Sequence, residues 1–209
     1  MRRRFFLSLP LIPVLRAADT LEAFGIQWSV PLLQDWRVQR EDGVEVLRLA
    51  TPRPMEASPR RPFQYALAAT PPLSKVTLEC ETRRDPNKKA GSVILVYAWK
   101  GPDHFNYAHL SGDSASEQPV HNGIFHVYGG DRVRISSDRG PGALASPGWH
   151  AARLTYDAST GVVDVAVDGA PNPSLRAVDL SLGAGKVGIG SFFDTADFRD
   201  VKLTFEPAS

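Results

Sequence analysis

Only one cysteine, Cys80, occurs among 209 residues, so no disulfide can close within the chain and no cysteine-based zinc centre can be assembled. Charge of either sign is scarce in net terms: 24 Lys and Arg stand against 23 Asp and Glu, a formal balance of +1. Without a net field nothing concentrates a phosphate backbone, and nucleic acid is not an expected partner. Long hydrophobic runs are missing as well. The apolar stretch from Phe5 to Leu15 is too short to span a bilayer, so no membrane span is expected in the mature chain. The five histidines never fall at the H-x-x-x-H or H-E-x-x-H spacing of a helical zinc pair. A Gly-x-Ser-x-Gly elbow, a P-loop and a Rossmann fingerprint are absent too. Beyond the first residues no window keeps a 3.6-residue apolar period, which excludes a helical core.

The chain opens instead on a targeting pattern. Arg2, Arg3 and Arg4 form a charged region, Phe5 to Leu15 is mostly apolar, and Ala17-Ala18 supplies small residues for cleavage. Arg3-Arg4-Phe5-Phe6-Leu7-Ser8 resembles the twin-arginine export signal. Residues 1–18 are therefore expected to be an export signal and residues 19–209 a single domain, placed in the periplasm or secreted.

The rest of the chain is a succession of short β-branched and aromatic segments between Gly, Pro, Asn and Asp clusters. Strands are expected at Val44 to Leu49, Phe63 to Ala68, Lys75 to Thr82, Gly91 to Trp99, Phe105 to Leu110, Ile124 to Tyr128 and Arg132 to Ser136. Four more are expected at Ala151 to Tyr156, Val162 to Val167, Lys186 to Ser191 and Phe198 to Phe205. Glu41-Asp42-Gly43 and Asp168-Gly169 are turn sequences that favour antiparallel neighbours. The fold class is all-β, and this number of strands suits a two-sheet antiparallel sandwich. Thr51 to Pro62 reads as a proline-rich loop hugging an edge and Ser111 to Asn122 as a polar rim loop. Cys80 alternates in phase with Val76 and Leu78, as a buried small hydrophobe would.

The candidate binding residues come from alternation. Phe105, Tyr107 and His109 point to one face of their strand, Ala108 and Leu110 to the other. Ile124, His126 and Tyr128 share a face of the next strand, and Arg132 and Arg134 alternate with Val133 and Ile135. If these strands are neighbours, Tyr107, His109, His126, Arg132 and Arg134 could line one polar, aromatic-edged surface able to stack on a sugar ring and bond its hydroxyls. A solvated outer face explains the same alternation. His121-Asn122-Gly123 would sit at the rim, as a ligand contact or as turn chemistry. Trp99 continues the phase of Val93, Leu95 and Tyr97 and reads as core. Asp194 and Asp197 could offer carboxylates to calcium, although two carboxylates in a turn are ordinarily just a turn. No other cofactor is indicated and no catalytic residue can be assigned.

From about Val93 to Phe205 the chain resembles exported bacterial proteins with a concanavalin A-like lectin/glucanase or laminin G-like domain. The likeness is carried by Phe105-Asn106-Tyr107-Ala108-His109-Leu110, His121-Asn122-Gly123-Ile124, Trp149-His150, the Val162 to Asp168 strand and Lys186-Val187-Gly188-Ile189-Gly190-Ser191-Phe192. A looser similarity runs to the 3-keto-disaccharide hydrolase domain. The resemblance implies a jelly-roll sandwich and a saccharide or glycan ligand. It leaves a glycan-cleaving enzyme and a protein-binding laminin G-like domain as rival readings. Against a laminarinase-like glycosidase stands the pattern Glu79-Cys80-Glu81, where two carboxylates share a face but Arg83 or Arg84 replaces the third acidic residue.

Overall fold

The computed structural model describes residues 19–54 and 59–208; the expected export signal lies outside the described residues. Strands β1 (Asp19–Ala23) and β2 (Ile26–Val30) form the first hairpin, and β3 (Trp36–Glu41) and β4 (Val44–Leu49) the second. Both close on two consecutive residues of positive φ, Phe24-Gly25 and Asp42-Gly43, the geometry whose twist matches the flanking strands. Next come β5 (Gln64–Ala68), β6 (Leu73–Arg84), β7 (Ser92–Gly101), β8 (His104–Ser111), β9 (Gly123–Tyr128) and the short β10 (Val133–Arg134). The chain continues through β11 (His150–Asp157), β12 (Val162–Val167), β13 (Ala170–Val178), β14 (Lys186–Ser191) and β15 (Ala196–Pro207). Asp168-Gly169, again with positive φ at both residues, turns β12 into β13.

These strands form two antiparallel sheets. One runs β1-β2-β5-β14-β7-β8-β9-β10 and the other β13-β12-β11-β6-β15-β4-β3. All eleven strands expected from the sequence are present. β1, β2, β3 and β13 are additional. β13 contains Pro171 and Pro173, which is tolerable because β13 lies at the edge of its sheet, where a missing N–H breaks no ladder.

Between the sheets lies the main core, with Trp28, Leu47, Leu49, Leu78, Leu95, Tyr97, Ile189 and Phe198 all fully buried. Tyr97 of one sheet meets Tyr156 of the other at a ring distance of 4.8 Å. Cys80 joins this core, and burial pushes its thiol up to about 12.

A second apolar layer covers the outer face of the eight-stranded sheet: Tyr65, Ile94, Val96, Phe105, Tyr107, Phe125, Val127 and Phe192. The central strands β7 and β8 are thus buried on both sides, which the unbroken apolar run Val93 to Trp99 of β7 reflects. Trp99 belongs to this outer layer, not to the main core as its phase suggested. Ala98 takes a φ of 50°, the pairing slips between Tyr97 and Gly101, and the extra residue carries the next side chain across the sheet. Trp99 Nε1 there donates to the Tyr65 hydroxyl at 3.1 Å.

Candidate functional site

The register of β8 against β9 decides which candidate residues meet. Directly opposed residues of an antiparallel pair point to the same side, and the pairs are Asn106 with His126, Tyr107 with Phe125 and His109 with Gly123. Tyr107 and His109 therefore lie on the outer face with Phe125. His126 lies on the inner face with Asn106, which corrects the expectation that His109 and His126 share a surface. There the His126 Nδ1 is 2.8 Å from Asn106 Oδ1 and 3.1 Å from Asp179 Oδ2, and Asn106 Nδ2 donates to the same carboxylate at 2.7 Å.

Three other candidates are occupied by the fold itself. Tyr107 is 1% exposed and stacks on Phe125 at 5.4 Å, beneath the surface rather than on it. Asn122 is fully buried with a φ of 43°; its Oδ1 accepts from the backbone N–H of Ser111 and of Ala143, and its Nδ2 donates to Ser111 Oγ and to the Asp113 carbonyl. Arg134 donates to the carbonyls of Pro119, His121, Asn122, Ser136 and Asp138, tying the rim loop to the strand. Its guanidinium lies over Gly123, where a Cβ would collide with it, so this position admits glycine alone without displacing the arginine.

The remaining three, His109, His121 and Arg132, do come together. They line a hollow of about 380 Å³ on the outer face, closed by Arg60, Lys88, Phe192 and Phe193. That volume falls in the lower part of the range of small-ligand sites. At its floor His109 is 2% exposed, and among the described residues neither ring nitrogen has a hydrogen-bond partner. The backbone of Val120 favours the charged ring but does not reach hydrogen-bond geometry. Burial first, then the neighbouring His121 and Arg132, hold the His109 pKa well below the ordinary 6.5 of a histidine. The ring is packed edge-on by His121 at 5.0 Å, Phe192 at 5.9 Å and Phe125 at 6.0 Å.

His121 is oriented by Asp113, whose carboxylate oxygens are 2.8 and 2.7 Å from Nδ1. Phe192 and Phe193, just past β14, form the apolar wall. Their turn is pinned by Asp194, which accepts from the backbone N–H and Oγ of Ser92 at 3.1 and 2.9 Å and from Lys88 Nζ at 2.5 Å. Over Phe192 lie two guanidiniums, Arg132 at 4.3 Å and Arg60 at 5.8 Å from the ring centroid. Phe192, Phe193, Arg60 and Lys88 were not expected from the sequence. Two consecutive aromatics at the end of a strand were the available signal, since alternation forces one of them out of the main core.

Other polar clusters are accounted for by structure. Asp197 receives Arg48 at 2.6 Å and Arg83 at 2.5 Å, so Asp194 and Asp197 are each engaged by cations on separate networks. Among the described residues no group of three or more His, Cys, Asp or Glu side chains is placed to share a metal ion. Glu79 and Glu81 lie on the outer face of the seven-stranded sheet, paired with Arg153 and Arg199. Ser146 Oγ, His150 and Asp168 form a hydrogen-bonded row, 2.9 and 2.7 Å apart. The His150 Nε2 also meets the carbonyl of Ser146 at 3.1 Å, and Ser146 Oγ accepts from Gly148 N–H, so the row clasps its own loop.

No family model matches the sequence, and no curated protein matches it either. Solved structures do match in fold. The carbohydrate binding module CBM66 from Bacillus subtilis has a TM-score of 0.54 at 13% identity, covering 89% of this chain and 91% of that one. The GH43 protein BlXynB from Bacillus licheniformis reaches 0.60 at 10% identity, over 90% of this chain but 38% of its own length. The Lotus tetragonolobus seed lectin gives 0.50 at 12% identity, over 90% and 96%. At these identities the likeness is one of architecture: the chain is a two-sheet jelly-roll sandwich of the kind that lectins adopt, as expected from its sequence.

Proposed function

We propose that this protein is an exported saccharide-binding module that seats a sugar in the hollow above His109. The observation that supports this reading most is a buried imidazole with neither nitrogen engaged by a described residue, set at the floor of a cavity with an aromatic wall. A buried polar group without a partner costs about 1–3 kcal/mol, so the fold retains His109 at the expense of its own stability. A sugar offers the complement. Its hydroxyls both donate and accept, as the two imidazole nitrogens require, and its apolar ring face suits the half-buried Phe193 of the wall.

The fold's occurrence in a carbohydrate binding module and a seed lectin is consistent with this reading. No metal or cofactor enters it. A saccharide ligand also accords with a periplasmic or secreted location, the destination that the pattern over residues 1–18 implies. The test is a panel of mono- and oligosaccharides titrated into the purified protein and followed by the histidine and arginine side-chain resonances. Binding should perturb His109 and Arg132 and should vanish in His109→Phe. Perturbations confined to the outer face of the seven-stranded sheet would overturn the site. Cleavage of the sugar during the titration would replace a binding module by a glycan-cleaving enzyme.

A further inference from the structure

We propose that the ligand of the His109 hollow carries an anionic group, so that the protein selects acidic saccharides, those bearing a carboxylate or a sulfate, over neutral ones. This rests on the saccharide reading above and specifies its substrate class.

Among the described residues the cations around the hollow are unevenly paired. Three permanent cations line it: Arg60, Lys88 and Arg132. Lys88 is neutralised by Asp194 at 2.5 Å. His121, when protonated, has Asp113. Among the described residues Arg60 and Arg132 have no carboxylate within ion-pair distance, and Arg132 Nη1 is buried without a hydrogen-bond partner. Among the described residues Asp131 also lies beside them; its carboxylate accepts from the Arg60 backbone N–H and offsets part of the charge on Arg132 without forming an ion pair. Both guanidiniums lean on the same ring, that of Phe192, which brings two like charges together over a half-buried patch.

A neutral sugar hydroxyl would accept from Arg132 but would leave the repulsion between the two guanidiniums in place. An anionic oxygen group would relieve both the repulsion and the unpaired donor, because a guanidinium presents a planar fork that fits carboxylate and sulfate oxygens. His109 sits beneath, with an N–H for the same group or for an adjacent hydroxyl. Arg132 and His109 together thus make a buried donor set aimed into one cavity. By contrast, a solvated face would leave its arginines hydrated.

The experiment is calorimetric titration with a galacturonic acid trisaccharide, its fully methyl-esterified form, a sulfated galactose oligosaccharide and inorganic sulfate, at low and high salt. We expect both acidic sugars to bind, the ester to bind at least tenfold more weakly, and the acidic affinity to fall severalfold on raising salt. Arg132→Gln should weaken the acid by about tenfold or more, the size of a lost charged hydrogen bond, and the ester by less, so that the preference for the acid shrinks. Arg60→Gln, at the exposed rim, provides a second variant should the first fold poorly. An ester that binds as tightly as the acid would overturn the anionic inference and leave the saccharide reading standing. Binding of inorganic sulfate with no binding of any sugar would overturn the saccharide reading and keep the charge argument. Silence from every probe would overturn both.

Discussion

Replacing His109 by Phe separates the two tasks of this position, stability and binding, because they pull in opposite directions. In the folded protein the ring is 2% exposed, surrounded by Phe125, Phe192, Tyr107 and His121, and contributes two polar atoms without partners among the described residues. A buried unsatisfied donor or acceptor costs about 1–3 kcal/mol. Phenylalanine removes both polar atoms and keeps a planar ring against the same edges. Its extra volume costs about 1–3 kcal/mol if the site cannot relax, but here one side of the ring faces a hollow of about 380 Å³. The net change expected is a stabilisation of about 0–3 kcal/mol, or up to roughly 10 °C in Tm at 2–4 °C per kcal/mol for a chain of this size. His109→Ala removes the ring altogether and should destabilise by about 2–4 kcal/mol through the cavity it leaves. Urea unfolding followed by fluorescence of the four tryptophans measures both. Both variants should lose sugar binding. A loss of more than about 2 kcal/mol in His109→Phe would contradict this account, since it would mean that the imidazole nitrogens hold the native structure through hydrogen bonds.

The same chemistry sets three other expected outcomes. Because burial and positive neighbours keep the folded His109 pKa well below 6.5, the unfolded chain binds the extra proton below that pH and the folded protein does not. Wild-type stability should therefore fall with acid by up to about 1.4 kcal/mol per pH unit from this group; that slope should be missing from the His109→Phe curve and should appear in the difference between the two. Asp197→Ala strips the shared acceptor from Arg48 and Arg83; because both arginines are partly exposed and retain Glu41, a loss of about 2 kcal/mol is expected in the same unfolding assay. Cys80, its thiol pushed up to about 12 inside the core, should resist iodoacetamide at about pH 8 in the native protein and react once the chain is unfolded.

Strand alternation made most of the fold legible, since the period of two survives whatever the neighbours do. The strands it did not reveal are instructive. β13 carries Pro171 and Pro173, which argue against a central strand, and its edge position cannot be known before the sheet is assembled. β3 carries only Trp36 and Val38 as apolar residues, and at the edge of its sheet Trp36 alone is buried. β2, with Ile26, Trp28 and Val30 alternating with Gln27 and Ser29, followed the ordinary rule. Trp99 shows the opposite failure. Its phase was read correctly within the strand, but a bulge at Ala98 moved it to the outer layer, and a positive φ at alanine has no compositional signal.

The site was less legible than the fold for a reason that lies in register. Alternation fixes parity within a strand, whereas parity between β8 and β9 depends on how the rim loop, residues 112–122, returns the chain. Here both faces of β9 are apolar: Ile124 enters the main core while Phe125 and Val127 enter the outer layer. A slip by one residue would exchange two apolar sets, so hydrophobic burial alone does not choose between registers. Polar contacts must choose. In the observed register His126 meets Asn106 and Asp179 inside the sheet, and Gly123 leaves room for Arg134 to gather the rim carbonyls. In the slipped register His126 would enter the aromatic layer without those partners, and a residue with a Cβ would occupy the seat of the guanidinium. The placement of His109 alone at the floor of the hollow, with His126 on the far side, is thus fixed by a buried asparagine and a glycine, neither of which looks functional when the sequence is read on its own.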